Sequence, residues 1–279
     1  MDLSKIYSPR PDWVHKGNYG SVLVVCGSKL YSGSATLAGV SALRTGTDLV
    51  VVAAPQRAAD IAANVLPDLI TYPLKGDYLT GRHVNEILDI AHLRRVNSIV
   101  LGCGLGRHRL TLAAIVKLIQ KFTVPIIIDA DGLRALIGRE DLVSSKQVVL
   151  TPHAGELAML LGVATVDGDF ELRLASAKQA AAAFRSVVLV KGHVDIITDG
   201  TSTITNNSGS VLMTKGGFGD TLAGILGALL ARGVGMFEAA HAAAYINGRA
   251  GEMAAGAKGE GVVASDIFEY LPKVINTDR

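Results

Sequence analysis

A glycine-rich stretch with a single acid precedes a long apolar segment late in the chain. The stretch reads KGGFGD, from Lys215 to Asp220, and the apolar segment continues to Ala231. Glycines before a helix allow several backbone N–H groups to converge on one point, and the helix dipole adds partial positive charge there. The pattern predicts an anion hole suited to phosphate, or to the charge that develops during phosphoryl transfer.

The carboxylate of Asp220 has two interpretations. An acid at the start of a helix is a common N-cap, and for Asp220 taken alone this structural role is favoured. A carboxylate beside a bound phosphate could instead accept a proton from a substrate hydroxyl. The glycines in front of Asp220 add weight to this chemical role, so both interpretations stay open.

A second glycine motif, GCGLGR at 102–107, also follows an apolar run and precedes a predicted helix. Its simplest interpretation is a tight turn from strand to helix. The motif lacks the G-x-G-x-x-G spacing of a dinucleotide fingerprint, and the chain has no G-x-x-x-x-G-K-[ST] phosphate loop. A nucleotide would therefore have to bind by another route.

Polar groups follow two further apolar runs. TPHAGE (151–156) places His153 and Glu156 at a predicted helix start, where Glu156 could cap the helix. His153 could hydrogen-bond a ligand, although a lone histidine is more often a partly exposed polar residue. DAD (129–131) puts two carboxylates at a strand end, and Mg²⁺ held largely through phosphates would need little more from the protein. No His/Cys cluster has zinc spacing, so we predict no dedicated set of metal ligands.

The composition excludes several classes of protein. The 279 residues are 49% hydrophobic and 19% charged, with a formal net charge of +2, which is typical of a globular protein. No dense Lys/Arg run and no apolar run of membrane-spanning length is present, so we expect neither nucleic-acid binding nor membrane association. Cys26 and Cys103 are interpreted as buried thiols in a reducing compartment, and no signal peptide is visible. We therefore expect a cytoplasmic protein.

Short β-branched runs alternate with Ala/Leu-rich runs along the chain. Near-continuous Val, Ile and Leu suit parallel strands that are covered on both faces. The predicted strands are 21–27, 48–55, 98–102, 125–131, 147–152 and 187–192. The predicted helices are 34–46, 56–64, 82–92, 110–121, 155–162, 169–185, 220–232, 236–256 and 265–275.

This alternation predicts an α/β layered fold with a mostly parallel sheet, built as one domain over 1–279. The turn signal Asp199-Gly200 predicts an antiparallel hairpin at the sheet edge. In such sheets, ligands bind beyond the carboxyl ends of the strands. The polar and glycine-rich segments all follow predicted strands, so we expect them to meet at that edge.

Six segments, in this order along the chain, resemble the ADP- or ATP-dependent NAD(P)H-hydrate dehydratases. They are HKGNYGSVLVVCGSKLYSGSATLAGVSALRTGTDLVVVA, GCGLGR, DADGL, LTPHAGELAMLLG, VLVKGHVDII and GGFGDTLAGILGALLARG. The resemblance spans about 15–275, and the combined motifs are specific, whereas G-x-G-D alone fits any ribokinase-like kinase. The resemblance implies a ribokinase-like three-layer fold, with a mostly parallel central sheet flanked by helices and an antiparallel edge hairpin.

The resemblance also implies a reaction on hydrated NADH or NADPH. Asp220 would take the proton of the ring hydroxyl as its oxygen attacks the terminal phosphate of ADP or ATP, with Mg²⁺, and phosphate loss would regenerate the dihydropyridine ring. The implied substrate-binding residues are Gly33, Ser34, Gly104, Gly106, His153 and Asp220. The implied nucleotide-binding residues are Lys191, Gly192, His193, Val194, Asp195, Gly216, Gly217 and Gly219.

We also expect a homo-oligomer, with a tetramer as one option. The Ala/Gly-rich helix at 236–256 could pack against the core or a partner subunit, and core packing is favoured.

The chain departs from the family pattern at several motif positions. Cys103 and Ala154 stand where the family usually has Pro, and Gly132 stands where Ala is more frequent. Phe218 replaces Ser, Thr or Met, and its ring beside the anion hole could alter nucleotide fit, although its backbone N–H is retained.

Two alternatives remain. A small-molecule kinase of the same fold, acting on a hydroxymethyl pyrimidine or thiazole alcohol, would also use Asp220 but would stop at the phosphorylated product. TPHAGE and GSKLYSGSAT resemble the dehydratases more closely than such a kinase. A non-catalytic dinucleotide-binding or sensing protein is the second alternative. It would need no proton acceptor at the phosphate, so Asp220 argues against it.

Overall fold

A nine-stranded sheet runs through the computed structural model, which describes residues 1–166 and 169–279. Within the described residues, the strands are β1 Ser21–Val25, β2 Leu49–Pro55, β3 Ile70–Leu74, β4 Ser98–Leu101, β5 Ile126–Ile128, β6 Val148–Leu150, β7 Val187–Val190, β8 Asp195–Thr198 and β9 Thr203–Asn206. Their order in the sheet is β3-β2-β1-β4-β5-β6-β7-β8-β9.

The sheet is parallel from β3 to β7 and antiparallel from β7 to β9. The predicted mostly parallel sheet with an antiparallel edge hairpin is therefore confirmed. Alternate residues of β1 enter opposite apolar clusters: Val22 and Val24 lie in one, and Leu23 and Val25 in the other. Burial on both faces explains why these strands are almost continuously apolar.

Helices cover both faces of the sheet. They are α1 Ser34–Arg44, α2 Gln56–Val65, α3 Val84–Leu93, α4 Arg109–Lys121, α5 Asp131–Arg134, α6 Ala154–Leu161, α7 Phe170–Phe184, α8 Phe218–Ala231, α9 Met236–Lys258 and α10 Leu271–Asp278. Buried side chains of α1, α2, α8, α9 and α10 share one apolar cluster, and those of α3, α4, α6 and α7 share the other. This is the three-layer arrangement expected from the sequence.

The structure corrects several predicted elements. β3 was not predicted because ITYPL is partly exposed, contains Pro73 and forms the sheet edge. The predicted strand 125–131 ends at Ile128, because Asp129 begins a turn that leads into α5. The predicted helix 265–275 is a 3₁₀ turn, Ala264–Glu269, followed by α10.

The two long C-terminal helices lie in the core. Every residue of α8 from Thr221 to Ala231 is buried, and the buried residues of α9 are mainly alanine. Ser98 of β4 donates a hydrogen bond to the Gly227 carbonyl at 2.6 Å, which fixes α8 against the centre of the sheet. The favoured core packing of α9 is confirmed. Among the described residues, we find no helix with the length and apolar character needed to cross a bilayer.

Candidate active site

The predicted nucleotide-side residues surround one cavity of about 770 Å³ at the carboxyl edge of the sheet. Nine of the predicted site residues line it: His153, Lys191, Gly192, His193, Asp195, Gly216, Gly217, Gly219 and Asp220. Val194 is not among the lining residues, and its carbonyl accepts a hydrogen bond from Arg173 at 3.0 Å. The convergence arises because parallel strands end at the same edge.

Gly217 is the N-cap of α8 and carries no side-chain cap. Its φ is 104°, and a Cβ there would lie 2.8 Å from both Ala264 and Leu37, so only glycine fits. Asp220 lies in the first turn of α8 and is not the N-cap residue. The interpretation of Asp220 as a simple N-cap is therefore wrong. The first N–H groups of α8 have no partners within the helix, as an anion hole requires.

Phe218 belongs to the apolar core and also lines the cavity. Phe218 is 6% exposed, and its side chain packs in the apolar cluster beside Leu222 and Ala223 of α8. The predicted effect of Phe218 on nucleotide fit therefore stays a prediction.

Asp220 is in an environment that favours its protonated form. Burial, followed by repulsion from Asp129, raises the pKa of Asp220 to about 6, against the opposing effects of Ser34, Lys191 and Cys103. A carboxylate with such a pKa can hold a proton after taking it and release it near neutral pH. These are the properties expected of a general base.

We predict that turnover falls on the acid side of pH 6. If Asp220 must be ionised to accept a proton, activity is full above its pKa of about 6 and is lost as the pH falls through that value. The pH profile of kcat/KM would show this limb. A profile that stays flat down to pH 5 in a folded protein would exclude Asp220 as the base.

Lys191 is held between two carboxylates beneath the cavity. Its Nζ lies 2.6 Å from Asp129 Oδ1 and 3.9 Å from Glu156 Oε2. Burial alone would lower the pKa of Lys191, but Asp129 and Glu156 outweigh burial and raise it. Thr151 Oγ1 donates a further hydrogen bond to Asp129 Oδ1 at 2.8 Å. A fixed cation therefore sits at the floor of the cavity, at the meeting point of β5, β6 and β7.

The two acids of the DAD motif have different places. Asp129 is 2% exposed and joins the Lys191 network, whereas Asp131 contacts the Gly106 N–H at 2.8 Å and Arg107 at 3.3 Å. Sequence reasoning could not tell which acid faces the site. In the structure, Asp129 lines the cavity and Asp131 does not.

His153 and Glu156 form a reciprocal cap at the start of α6. Glu156 N donates to His153 Nδ1 at 3.2 Å, and His153 N donates to Glu156 Oε2 at 2.9 Å. The side chain of His153 is 60% exposed and also lines the cavity. The predicted capping role of Glu156 is confirmed, and the other ring nitrogen of His153, Nε2, lies 3.6 Å from Glu156 Oε2.

We predict that His153→Ala raises the KM for the dinucleotide more than it lowers kcat, because His153 lines the cavity from the start of α6, whereas Asp220 lies on α8. Steady-state kinetics would measure both constants. Asp169→Ala, which removes the N-cap of α7, controls for the loss of a cap, worth about 1 kcal/mol. An unchanged KM would reduce His153 to a structural cap.

Ser34 lies close to Asp220, and Gly104 lies close to Ser34. Ser34, the first residue of α1, opposes the rise in the pKa of Asp220. Gly104 has a φ of 63°, and a Cβ there would lie 2.5 Å from Ser34 Oγ, so glycine is required. Gly33 is the N-cap of α1. A substrate role for Gly33, Ser34, Gly104 and Gly106 stays a prediction.

Cys103 joins the site in a way that the sequence did not reveal. The Cys103 sulfur and one carboxylate oxygen each of Asp129 and Asp220 all lie within 4.8 Å of one another. The Cys103 thiol is 3.5 Å from Asp129 Oδ2. A hydrogen bond with Cys26 and burial raise the pKa of the Cys103 thiol, so the sulfur is protonated. Both cysteines are buried, as predicted. These residues come from separate elements, so no spacing along the chain could reveal the group.

The loop after β9 completes the cavity and was also missed. Asn, Ser and Gly make up its first part, 207–210, and this composition is typical of an ordinary loop. The loop residues that line the cavity are Asn207, Ser208, Gly209, Ser210, Val211, Met213 and Thr214.

Comparison with known proteins agrees with this geometry. A family model described as NAD(P)H-hydrate dehydratase matches residues 22–273. A bifunctional NAD(P)H-hydrate repair enzyme of Pyrobaculum aerophilum is 42% identical over 93% of this chain and 51% of its own length. The chain therefore spans about half the length of such bifunctional relatives.

Two further proteins match almost from end to end. An ADP-dependent (S)-NAD(P)H-hydrate dehydratase of Cenarchaeum symbiosum is 37% identical over 98% of this chain and 94% of its own. The crystal structure of the ADP/ATP-dependent NAD(P)H-hydrate dehydratase of Bacillus subtilis, co-crystallised with ATP and Mg²⁺, is 26% identical, with a TM-score of 0.79 over 97% of this chain and 94% of that one. The chain has the ribokinase-like fold that its sequence predicted, and it belongs to the NAD(P)H-hydrate dehydratase family.

Proposed function

We propose that this chain dehydrates hydrated NADH or NADPH, with a nucleotide as phosphoryl donor. The observation that carries the proposal is the position of Asp220, a carboxylate with a raised pKa in the first turn of α8, at the cavity and beside the first N–H groups of that helix. The near-full-length archaeal relative is named ADP-dependent, so we propose ADP as the donor and treat ATP as the alternative.

The chemistry follows from the poor leaving ability of hydroxide. Asp220 accepts the proton of the ring hydroxyl while the hydroxyl oxygen bonds to the terminal phosphorus of the donor. The bond from that phosphorus to its bridging oxygen breaks, so the leaving group is AMP when ADP is the donor and ADP when ATP is the donor. The phosphorylated ring then expels phosphate and loses a proton from the neighbouring carbon, which restores the dihydropyridine. Phosphate is a far better leaving group than hydroxide.

The N-terminal end of α8 stabilises the transferring phosphoryl group. The N–H groups of Gly217 and Gly219 belong to the helix start, and Gly216 precedes it at the cavity wall. Donors that are fixed before reaction stabilise developing negative charge without reorganisation. Lys191 contributes a nearby positive charge, partly offset by its carboxylate partners.

The site fits Mg²⁺ bound mainly through the nucleotide. Carboxylate oxygens of Asp129 and Asp220 lie within the cluster described above and are ligands of the type Mg²⁺ prefers, whereas the Cys103 sulfur is not. Asp129 Oδ1 is already bonded to Lys191 and Thr151, so few protein ligands remain. When bound, Mg²⁺ would neutralise phosphate charge.

The absorbance band of reduced nicotinamide tests the proposal, because hydration removes that chromophore and dehydration restores it. Purified protein, Mg²⁺ and hydrated NADH would be mixed with ADP and with ATP in separate cuvettes. A nucleotide-dependent rise is the expected result and identifies the donor. A flat trace with both nucleotides would favour the small-molecule kinase. Binding of the dinucleotide without turnover would favour the sensing protein.

Homo-oligomerisation and a cytoplasmic location stay predictions.

A further inference from the structure

Asn247 is a polar side chain in an otherwise small and apolar buried surface. It lies on α9 and is 7% exposed, and the other buried residues of α9 are Ala, Gly and Ile. A buried amide without partners would cost about 1–3 kcal/mol. The bonds that Asn247 makes should therefore explain why it is there.

Both ends of the Asn247 amide bond to the first turn of α8. Its Oδ1 accepts a hydrogen bond from Thr221 Oγ1 at 2.8 Å, and its Nδ2 donates to the Phe218 carbonyl at 3.3 Å. Thr221 Oγ1 also lies 2.9 Å from the same Phe218 carbonyl. Phe218 and Thr221 flank Gly219 and Asp220, so these bonds hold the turn that carries the anion hole and the general base.

The same stretch of α9 also holds the loop after β9. Ser208 Oγ lies 3.3 Å from the Tyr245 carbonyl, and Gly209 N donates to Glu252 Oε1 at 2.8 Å. Ser208 and Gly209 both line the cavity. One helix thus connects a wall of the cavity to the turn that carries Asp220.

We propose that Asn247 is a positioning residue that, with Thr221, fixes the first turn of α8 and so places Asp220 for proton transfer. The inference rests on the proposed dehydratase function. A displacement of about 1 Å at a reacting group can cost about 10²-fold in rate, so a clamp of two hydrogen bonds can matter without contact to the substrate. Asn247 also lines the cavity, and a direct contact with the nucleotide is the competing explanation.

Kinetics of Asn247→Ala, Thr221→Val and the double variant test the clamp. Each single change should lower kcat about 10-fold or more, with little change in KM for hydrated NADH or for ADP. The double variant should be no slower than the slower single variant, because both changes remove the same link. Thr111→Val is the matched control, since its buried hydroxyl donates to the Leu79 carbonyl at 2.9 Å, away from the cavity; its kcat should stay at the wild-type value.

Amide hydrogen exchange gives a readout that needs no turnover. The Thr221 amide, which donates to the Gly217 carbonyl at 3.0 Å, should exchange faster in folded Asn247→Ala and at the wild-type rate in Thr111→Val. A wild-type protein that fails to dehydrate hydrated NADH would refute the proposed function, and the exchange experiment would still test the clamp. Unchanged exchange in Asn247→Ala, a rise in the KM for ADP alone, or fully additive losses in kcat would overturn the inference.

Discussion

Asp220→Asn should lower kcat by about 10³-fold, within the range that a general base contributes, and leave dinucleotide binding nearly unchanged. The amide of Asn has the shape of the carboxylate but cannot accept the hydroxyl proton at neutral pH. The backbone N–H groups at the start of α8 do not depend on the side chain, so the anion hole persists. Single-turnover absorbance and equilibrium binding of the dinucleotide would measure the two effects separately.

Asp266→Asn is the matched control for loss of an acid in a first turn. Asp266 accepts a hydrogen bond from Val263 N at 2.8 Å at the start of the 3₁₀ turn, and it does not line the cavity. It should retain wild-type turnover. If Asp220→Asn also retained it, Asp220 would have a structural role only, and the proposed chemistry would lack its base.

Sequence patterns predicted the interior of this sheet well because burial on both faces leaves a strong signal. β1 and β2 are almost entirely valine, leucine and alanine, and both were placed within a few residues. The convergence of the polar segments followed from one topological rule, that parallel strands end at a common edge. The rule required no knowledge of side-chain contacts, so the cavity could be anticipated before its geometry.

The contacts within the site could not be predicted in this way. Lys191 and Asp129 are 62 positions apart, and nothing in either motif shows that one neutralises the other. The resemblance implied that Lys191 lines the nucleotide side, and the structure adds that its charge is already paired. Likewise, the first turn of α8 begins at Phe218 and not at residue 220, because Gly217 supplies the positive φ that starts the helix. Pairing between distant elements is a property of the folded chain.

Lys191→Met should lower the free energy of unfolding by about 3–5 kcal/mol and also lower turnover, because it leaves Asp129 buried without its cation. Asp129 is 2% exposed, and its charged partner among the described residues is Lys191, at 2.6 Å. Removing one member of a buried pair costs far more than the net contribution of the pair, since the remaining charge is desolvated. Chemical denaturation monitored by circular dichroism would measure the loss.

Two further variants test whether the loss of stability in Lys191→Met depends on the burial of the ion pair. Lys29→Met breaks a Lys–Asp contact of 2.9 Å to Asp77 in which both side chains are about half exposed, so its free energy of unfolding should stay close to the wild-type value. The double variant Lys191→Met/Asp129→Asn removes both buried charges and should regain most of the lost stability, but not activity. If the double variant were less stable than Lys191→Met, the stabilising role of Lys191 would come from packing along its methylene chain and not from neutralising Asp129.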